Sequence, residues 1–410
     1  MPPSRAAPGS PAERRIGLAL FLAGFATFSL LYCVQPLLPL FADEFGLAPA
    51  ASALALSLST FALAGAIVVA GALSERLDRR RLMAASMAAA AVLTLGVAAL
   101  RNWHAMLVLR TLEGLVLGGV PAVAMAYLAD QIAPEGLGRA MGRYVAGNAF
   151  GGMTGRVLVG ALAGHLGWRA SMALLGALDL AATLAFLALL PRHGRGAPLA
   201  DGARADPGIG PAPRPARLAD HLAAWRAHLR DPALRALFAI SFFAMGVFVT
   251  VYNYLGFRLM RPPFGLGQAA IGAIFCAYVF GVVSSAVGGA LADRRGRGPM
   301  MAWGLALMAL GVLLTLPDHL VPVIAGLVLL TVGFFIVHAV ASGWVGWLAA
   351  SHKGHAASLY LLAYYLGSSV LGAVGGMFWS AGRWPAVAGF AAAGLVATGV
   401  AAARVRRAAG

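Results

Sequence analysis

The 410-residue chain is 60% hydrophobic and only 11% charged, with a mean hydropathy of +0.81. Soluble domains carry about 25% charged residues, so a water-soluble globular fold is excluded for most of this length. A formal charge of +16 would point to nucleic acid in a soluble protein; here the arginines fall between apolar runs and read as membrane orientation, with a lipid bilayer and no nucleic acid as partner.

A membrane-crossing helix needs about 20 predominantly apolar residues. Twelve such runs are predicted, at 16–40, 50–73, 82–100, 106–129, 142–164, 168–190, 235–257, 267–291, 299–317, 320–346, 355–379 and 384–403. Strands are not expected, because backbone in hydrocarbon must satisfy its own hydrogen bonds and long apolar runs do so as helices. The predicted organisation is a disordered cytoplasmic tail over 1–15, a six-helix bundle over 16–190, a cytoplasmic linker over 191–232, a second six-helix bundle over 233–403 and a tail over 404–410. The linker is rich in Pro, Gly and charge. It ends in an amphipathic stretch, Arg217 to Arg230, expected to lie as a helix on the membrane surface. Cys33 and Cys276 sit inside apolar runs, so no structural disulfide is expected, and no cleavable signal peptide is evident.

Orientation follows from the arginines. One set of connections holds Arg5, Arg14, Arg15, Arg76, Arg79 to Arg81, Arg139, Arg143, Arg294, Arg295, Arg297, Lys353 and the last arginines. The other set is far poorer. Both termini are therefore expected in the cytoplasm, which an even number of spans allows.

The most charged turn occurs twice, at Gly71-Ala-Leu-Ser-Glu75-Arg76-Leu-Asp78-Arg79 and at Gly289-Ala-Leu-Ala-Asp293-Arg294-Arg-Gly296-Arg297, 218 residues apart. Gln35 and Asn253 share that offset. At an offset of 216, Tyr144 meets Tyr360, Gly151 meets Gly367, Gly160 meets Gly376 and Trp168 meets Trp384. Both offsets keep chain direction, so a parallel internal repeat is predicted.

Two Gly-x-Leu-Ala-Asp-Arg-x-Gly-Arg turns in a 6+6 layout resemble the major facilitator superfamily. The second copy fits at each defined position. The first has Glu75 in place of Asp and Asp78 in place of Gly, and without glycine's freedom its turn is expected to be shaped differently. Leu109-Arg110-Thr-Leu-Glu113-Gly114 resembles the fourth-span motif, whose Arg the family links to proton coupling. Gly147-Asn-Ala-Phe-Gly151-Gly152-Met-Thr-Gly155 resembles the fifth-span glycine motif of export antiporters, with Gly-Gly where Gly-Pro is usual. The segments Tyr32 to Pro36, Gly333 to His338 and Ser358 to Ser369 are similar to a bacterial inner-membrane efflux group of that superfamily. The resemblance implies an all-α transporter of the bacterial plasma membrane, most simply a monomer.

Ionisable side chains inside spans are costly and mark pathways or buried pairs. Arg110 and Glu113 share a helix face at i, i+3; Arg156, Asp179 and His338 also lie mid-span. Glu113 and Asp179 are the expected proton carriers, with Arg110 tuning Glu113; the plainer alternative is a static Arg110–Glu113 pair with Asp179 tying Arg156. Tyr32, Gln35, Tyr252, Asn253, Tyr364 and Tyr365 are the substrate-pocket candidates, with an outer-gate role open for Gln35 and Asn253. The two charged turns are expected to form inter-helix ion pairs and to gate. No phosphate-binding loop, protease or lipase signature occurs, so neither ATP, a metal, another cofactor nor enzymatic chemistry is expected. Gly265-Leu-Gly-Gln-Ala-Ala270 fits a dinucleotide pattern only formally, since it follows no strand. The function expected is secondary transport, most simply export of a small organic molecule in exchange for protons. Proton-linked uptake or uniport of a sugar or organic anion, and a non-transporting sensor or scaffold, are the alternatives.

Overall fold

The computed structural model describes residues 6–73, 78–190, 218–349 and 352–409, without the side chains at 70–73, 218–220 and 408–409. Among the described residues the architecture is all helical. The elements are α1 (Pro11–Tyr32), a 3-10 turn (Gln35–Leu37), α2 (Leu38–Phe45), α3 (Pro49–Leu73), α4 (Arg79–Ala99), α5 (Trp103–Leu117), α6 (Gly119–Gln131) and α7 (Pro134–Leu189). There follow α8 (Leu218–Arg230), α9 (Pro232–Leu259), α10 (Gln268–Ala273), a second 3-10 turn (Ile274–Ala277), α11 (Tyr278–Arg295), α12 (Arg297–Leu314), α13 (Leu320–Leu348) and α14 (Lys353–Ala409).

Helix starts follow local chemistry. Pro134 and Pro232 open α7 and α9, where a missing N–H costs nothing. Asn102 caps α5 and Asp231 caps α9 by accepting orphan backbone N–H groups. Ser10 accepts from Glu13 N at 3.2 Å, and Glu13 accepts from Gly9 N, one residue before the cap, at 2.6 Å, which together fix the start of α1. The disordered tail expected up to residue 15 is thus corrected. Ala6 is tied by backbone bonds to Gln131 and Ala133, and α1 begins at Pro11.

Among the described residues, ten stretches are long and apolar enough to cross a membrane. Two of them, α7 and α14, are double length. At about 1.5 Å per residue, 56 residues of straight helix would run far beyond a hydrocarbon core about 30 Å thick. Both break near the middle, α7 at Gly167 (φ 78°) and α14 at Gly382 and Arg383. The run expected at 16–40 is broken toward its C-terminal end by Cys33 to Leu37, where Pro36 lacks an N–H to continue the ladder.

Close packing repeats between the halves of the chain. A β-carbon at Gly147, Gly151 or Gly155 would collide with the backbone of Phe21, Phe25 and Ser29, which seats α7 against α1. At Gly367 it would collide with Phe242, which seats α14 against α9. Small residues allow such approach without loss of helix. The linker helix α8 docks through its histidines. His221 Nδ1 meets His355 Nε2 at 2.8 Å, His228 Nε2 meets the His352 carbonyl at 3.3 Å, and Trp225 donates to Ser358 at 3.4 Å.

Contacts between the two halves gather at one end of the bundle. There Gln35 donates to Asn253 at 2.8 Å, Gln268 to the Pro36 carbonyl at 2.8 Å and Ser369 to the Ser57 carbonyl at 2.6 Å. Gly160 lies against Gly272, and Gly376 against Ala50. At the other end, which carries the arginine-rich turns, a β-carbon at Gly138, Gly142, Gly289, Gly343 or Gly346 would meet nothing within 4 Å.

Candidate functional site

The break in α1 leaves carbonyls without helical partners, and Arg110 of α5 answers them. Its Nη2 donates to Leu31 O at 2.7 Å and its Nη1 to Leu30 O at 3.1 Å, while its Nε donates to Ala55 O of α3 at 3.1 Å. Nη1 also meets Glu113 Oε1 at 2.7 Å, and both side chains are fully buried. Arg110 therefore clamps three helices as well as pairing a charge. Glu113 Oε2 makes no hydrogen bond of ordinary geometry among the described residues, and the Thr94 hydroxyl of α4 stands beside the Glu113 carboxylate.

Asp179 does not reach Arg156, so the alternative in which it ties that arginine is corrected. It accepts from Ser29 of α1 at 2.9 Å, its other oxygen is unpartnered, and it makes no ion pair among the described residues. Helical spacing orders residues within a helix but does not say which helices are neighbours. α1 lies between Asp179 and Arg156.

Arg156 instead donates from Nε to Gln35 Oε1 at 2.6 Å and from Nη1 to the Gly152 carbonyl at 2.6 Å. Its guanidinium carbon lies 4.2 Å from the centroid of the Tyr32 ring, 4.6 Å from Tyr278 and 5.5 Å from Phe275. Since Gln35 also donates to Asn253, a hydrogen-bond chain runs from Arg156 across the two halves. Beyond Tyr278 the aromatic wall continues in the second half: Phe248 stacks on Phe334 at 4.0 Å, and Tyr252 stacks on Phe275 at 5.1 Å. The Tyr252 hydroxyl meets Thr331 at 2.8 Å.

His338 shares a hydrogen bond of 3.0 Å with the Tyr360 hydroxyl and lies 4.9 Å from the Tyr364 ring. Both His338 and Tyr364 are half-buried, whereas Tyr365 behind them is buried. Of the pocket candidates, Tyr32, Gln35, Tyr252 and Asn253 thus converge around Arg156, and Tyr364 joins through His338 and Phe334. Sequence reasoning missed Phe275 and Tyr278, whose rings look like any others in an apolar run. It also missed Glu13, which is buried and held by Arg139 at 2.8 Å and Arg143 at 3.4 Å. The Ser10-x-x-Glu13 spacing was the available signal.

The charged turns differ from each other. Glu75 and Arg76 lie outside the described residues, and Gly71 is described only as part of the α3 backbone. Asp78 adopts φ −62° and caps α4, accepting from Arg80 N and Arg81 N. Its counterpart Gly296 adopts φ 90° and caps without a side chain. Arg79 pairs with Asp130 of α6. In the second copy the expected ion pairs are absent among the described residues. Asp293 and Arg294 are exposed and unpaired, and Arg297 lies 5.0 Å over the Trp347 ring. The neighbouring helix α13 presents the rings of Trp344 and Trp347 to this turn. Among the described residues no group of three or more His, Cys, Asp or Glu could hold a metal ion.

Comparison with known proteins agrees with this arrangement. Residues 20–275 match the family model described as Major Facilitator Superfamily. The chain is 42% identical over 401 residues, 97% of its length and 92% of the relative's, to the inner membrane transport protein YnfM of Escherichia coli. It is 41% identical over 383 residues, covering 93% and 91%, to the uncharacterized MFS-type transporter YybF of Bacillus subtilis. Among solved structures it resembles a bacterial homolog of the human lysosomal transporter Spinster in an inward-facing, unoccupied conformation, with TM-score 0.74 at 17% identity over 98% and 96% of the two chains. It likewise resembles the nucleoside transporter NupG, with TM-score 0.72 at 14% identity over 94% and 99%. With a family match over more than half its length and full-length transporter relatives in two bacteria, this chain belongs to the major facilitator superfamily.

Proposed function

We propose that the protein is a proton-coupled exporter of a small organic molecule, built as twelve spans in two parallel six-helix bundles, 16–190 and 233–403, joined by the 191–232 linker. α7 and α14 then each supply two spans, divided at Gly167 and at Gly382–Arg383. The observation that carries the reading is one-ended closure. Cross-half contacts seal the end around Gln35–Asn253 and Gly160–Gly272, while glycines at the arginine-rich end face open space. With both termini cytoplasmic, this is a carrier open to the inside, the state named for the Spinster homolog. Transport follows when the halves rock about the Arg156 region and exchange which end is closed.

Asp179 and Glu113 are the proposed proton carriers in the bacterial inner membrane. An ionised carboxylate with one hydroxyl donor and no cation is costly in a dry setting, and a proton removes that charge. Asp179 fits this description more closely, since Glu113 shares Arg110. Ser29 links Asp179 to α1, whose outer end carries Gln35, so a change of charge at Asp179 bears on the helix that closes the site. The Arg79–Asp130 pair and the Gly289–Arg297 turn are proposed as the inner gate.

The test uses inside-out vesicles with an imposed proton gradient read by a pH-sensitive dye. A transported compound should collapse the gradient, and Asp179→Asn or Glu113→Gln should abolish the response at normal protein levels. Full gradient-driven activity in both variants would remove these roles.

A further inference from the structure

Arg156 is a buried cation without a counterion. It is 2% exposed, lies mid-span, and makes no ion pair among the described residues, where Arg110 has Glu113 and Asp179 has Ser29. Its Nε and Nη1 are used by Gln35 and Gly152. Its Nη2 donates to no described acceptor, yet is not among the sealed, unpartnered buried atoms, so it retains access to the interior space. An unpaired guanidinium is costly to keep at this depth. The rings of Tyr32 and Tyr278 offset part of that cost by facing their negative surfaces to it, and they come from opposite halves of the chain.

We propose that the substrate is an aromatic carboxylate: its anionic group binds the free edge of the Arg156 guanidinium, and its ring packs on the Tyr278, Phe334 and Tyr364 wall. A planar guanidinium suits a planar carboxylate. Tyr364 in the adjoining wall is half-buried, and the buried Phe334 supports it at 6.3 Å, so the wall presents a backed ring to another flat ring. A cationic substrate would meet an uncompensated like charge. The inference rests on the reading that this midplane cluster is the transport site. It adds the class of molecule that the site takes.

The experiment measures binding to the full-length protein in lipid nanodiscs by calorimetry, using 1-naphthoate, 1-naphthylmethylamine and 1-naphthalenemethanol as the probes. Wild type should bind 1-naphthoate at least about tenfold more tightly than either analogue, the margin expected of a charge-assisted contact. Arg156→Gln should remove that preference and Arg156→Lys should retain part of it; the lysine variant keeps the charge should the glutamine variant fail to fold. Tyr278→Ala should weaken all three probes together. If the amine or the alcohol binds wild type as well as the carboxylate, and Tyr278→Ala weakens it, the transport site stands and the anion assignment is overturned. If no probe binds, or binding ignores both Arg156 and Tyr278, the site reading falls with it.

Discussion

The two halves of the chain share packing and differ in chemistry. At the offsets of 218 and 216, Arg110 corresponds to Val328, Glu113 to Thr331, Arg156 to Gly372 and Asp179 to Leu395. Each mid-span charge of the first half thus has an uncharged counterpart. In the other direction, Phe248 corresponds to Leu30, Phe275 to Ser57, Tyr278 to Thr60 and Phe334 to Val116. The glycine seats at Gly151 and Gly367 are kept in both. The shared positions are those that two helices need in order to touch. Among the divergent ones, Arg156 of the first half meets the Tyr278 and Phe275 rings of the second. On the proposed function, the first half handles protons and the anionic end of a substrate, and the second half holds its apolar body.

The comparison breaks most plainly at the charges. Asp179→Asn should lower proton-driven accumulation about 5- to 150-fold, the range of a coupling free energy of about 1–3 kcal/mol, while substrate-only exchange persists. Leu395→Ala at the matching position should leave coupling intact. Counterflow assays against pH-jump assays separate the two, and equal losses at both positions would undo the division.

The next effect is on packing and should be symmetric. Gly151→Ala and Gly367→Ala should each destabilise the folded protein by about 1–3 kcal/mol, as overpacked contacts do, seen as similar drops in melting temperature in detergent. A large loss at one site alone would contradict the shared seat.

Smaller again is the aromatic side. Phe334→Ala removes the 4.0 Å stack on Phe248. Beyond its lost area, an aromatic pair contributes about 0.5–1.5 kcal/mol, so substrate affinity should fall by a few fold while the proton response at saturating substrate stays. The smallest effect is at α8. The His221–His355 bond needs one neutral imidazole, and burial together with the neighbouring histidines holds His355 below the ordinary histidine range, so docking should hold at neutral pH and weaken on acidification as the pair gains charge. His228 and His352 stand beside this pair and add the same sign of charge. Hydrogen exchange across 221–230 should rise on acidification in wild type, and His221→Ala should exchange fast at both pH values.

Much of the fold was legible because long apolar runs in hydrocarbon have few solutions. The first charged turn was also read from its residue: without glycine at 78, the chain caps α4 in extended backbone instead of taking the positive φ of Gly296. The site was legible as a set of residues but not as a set of pairs. Gln35 and Asn253 were singled out as equivalent amides, and they meet each other. The alternative that paired Asp179 with Arg156 fails, because pairing depends on which helices are neighbours, and Asp179 meets Ser29 while Arg156 meets Gln35. Phe275 and Tyr278 carried no signal, since a ring that faces a cation and a ring that fills a core look alike in sequence.

One measurement bears most directly on alternating access. Spin labels at Gly142 and Ala286 report the open end, and labels at Asp43 and Arg261 report the closed end, with the last three positions exposed and the first facing open space. Distances between each pair are read by pulsed electron resonance in nanodiscs, at neutral and acid pH, with and without 1-naphthoate. The account predicts opposite movements, with 142–286 shortening as 43–261 lengthens. Distances that move together, or that do not respond to either condition, would contradict a carrier whose halves rock about a central site.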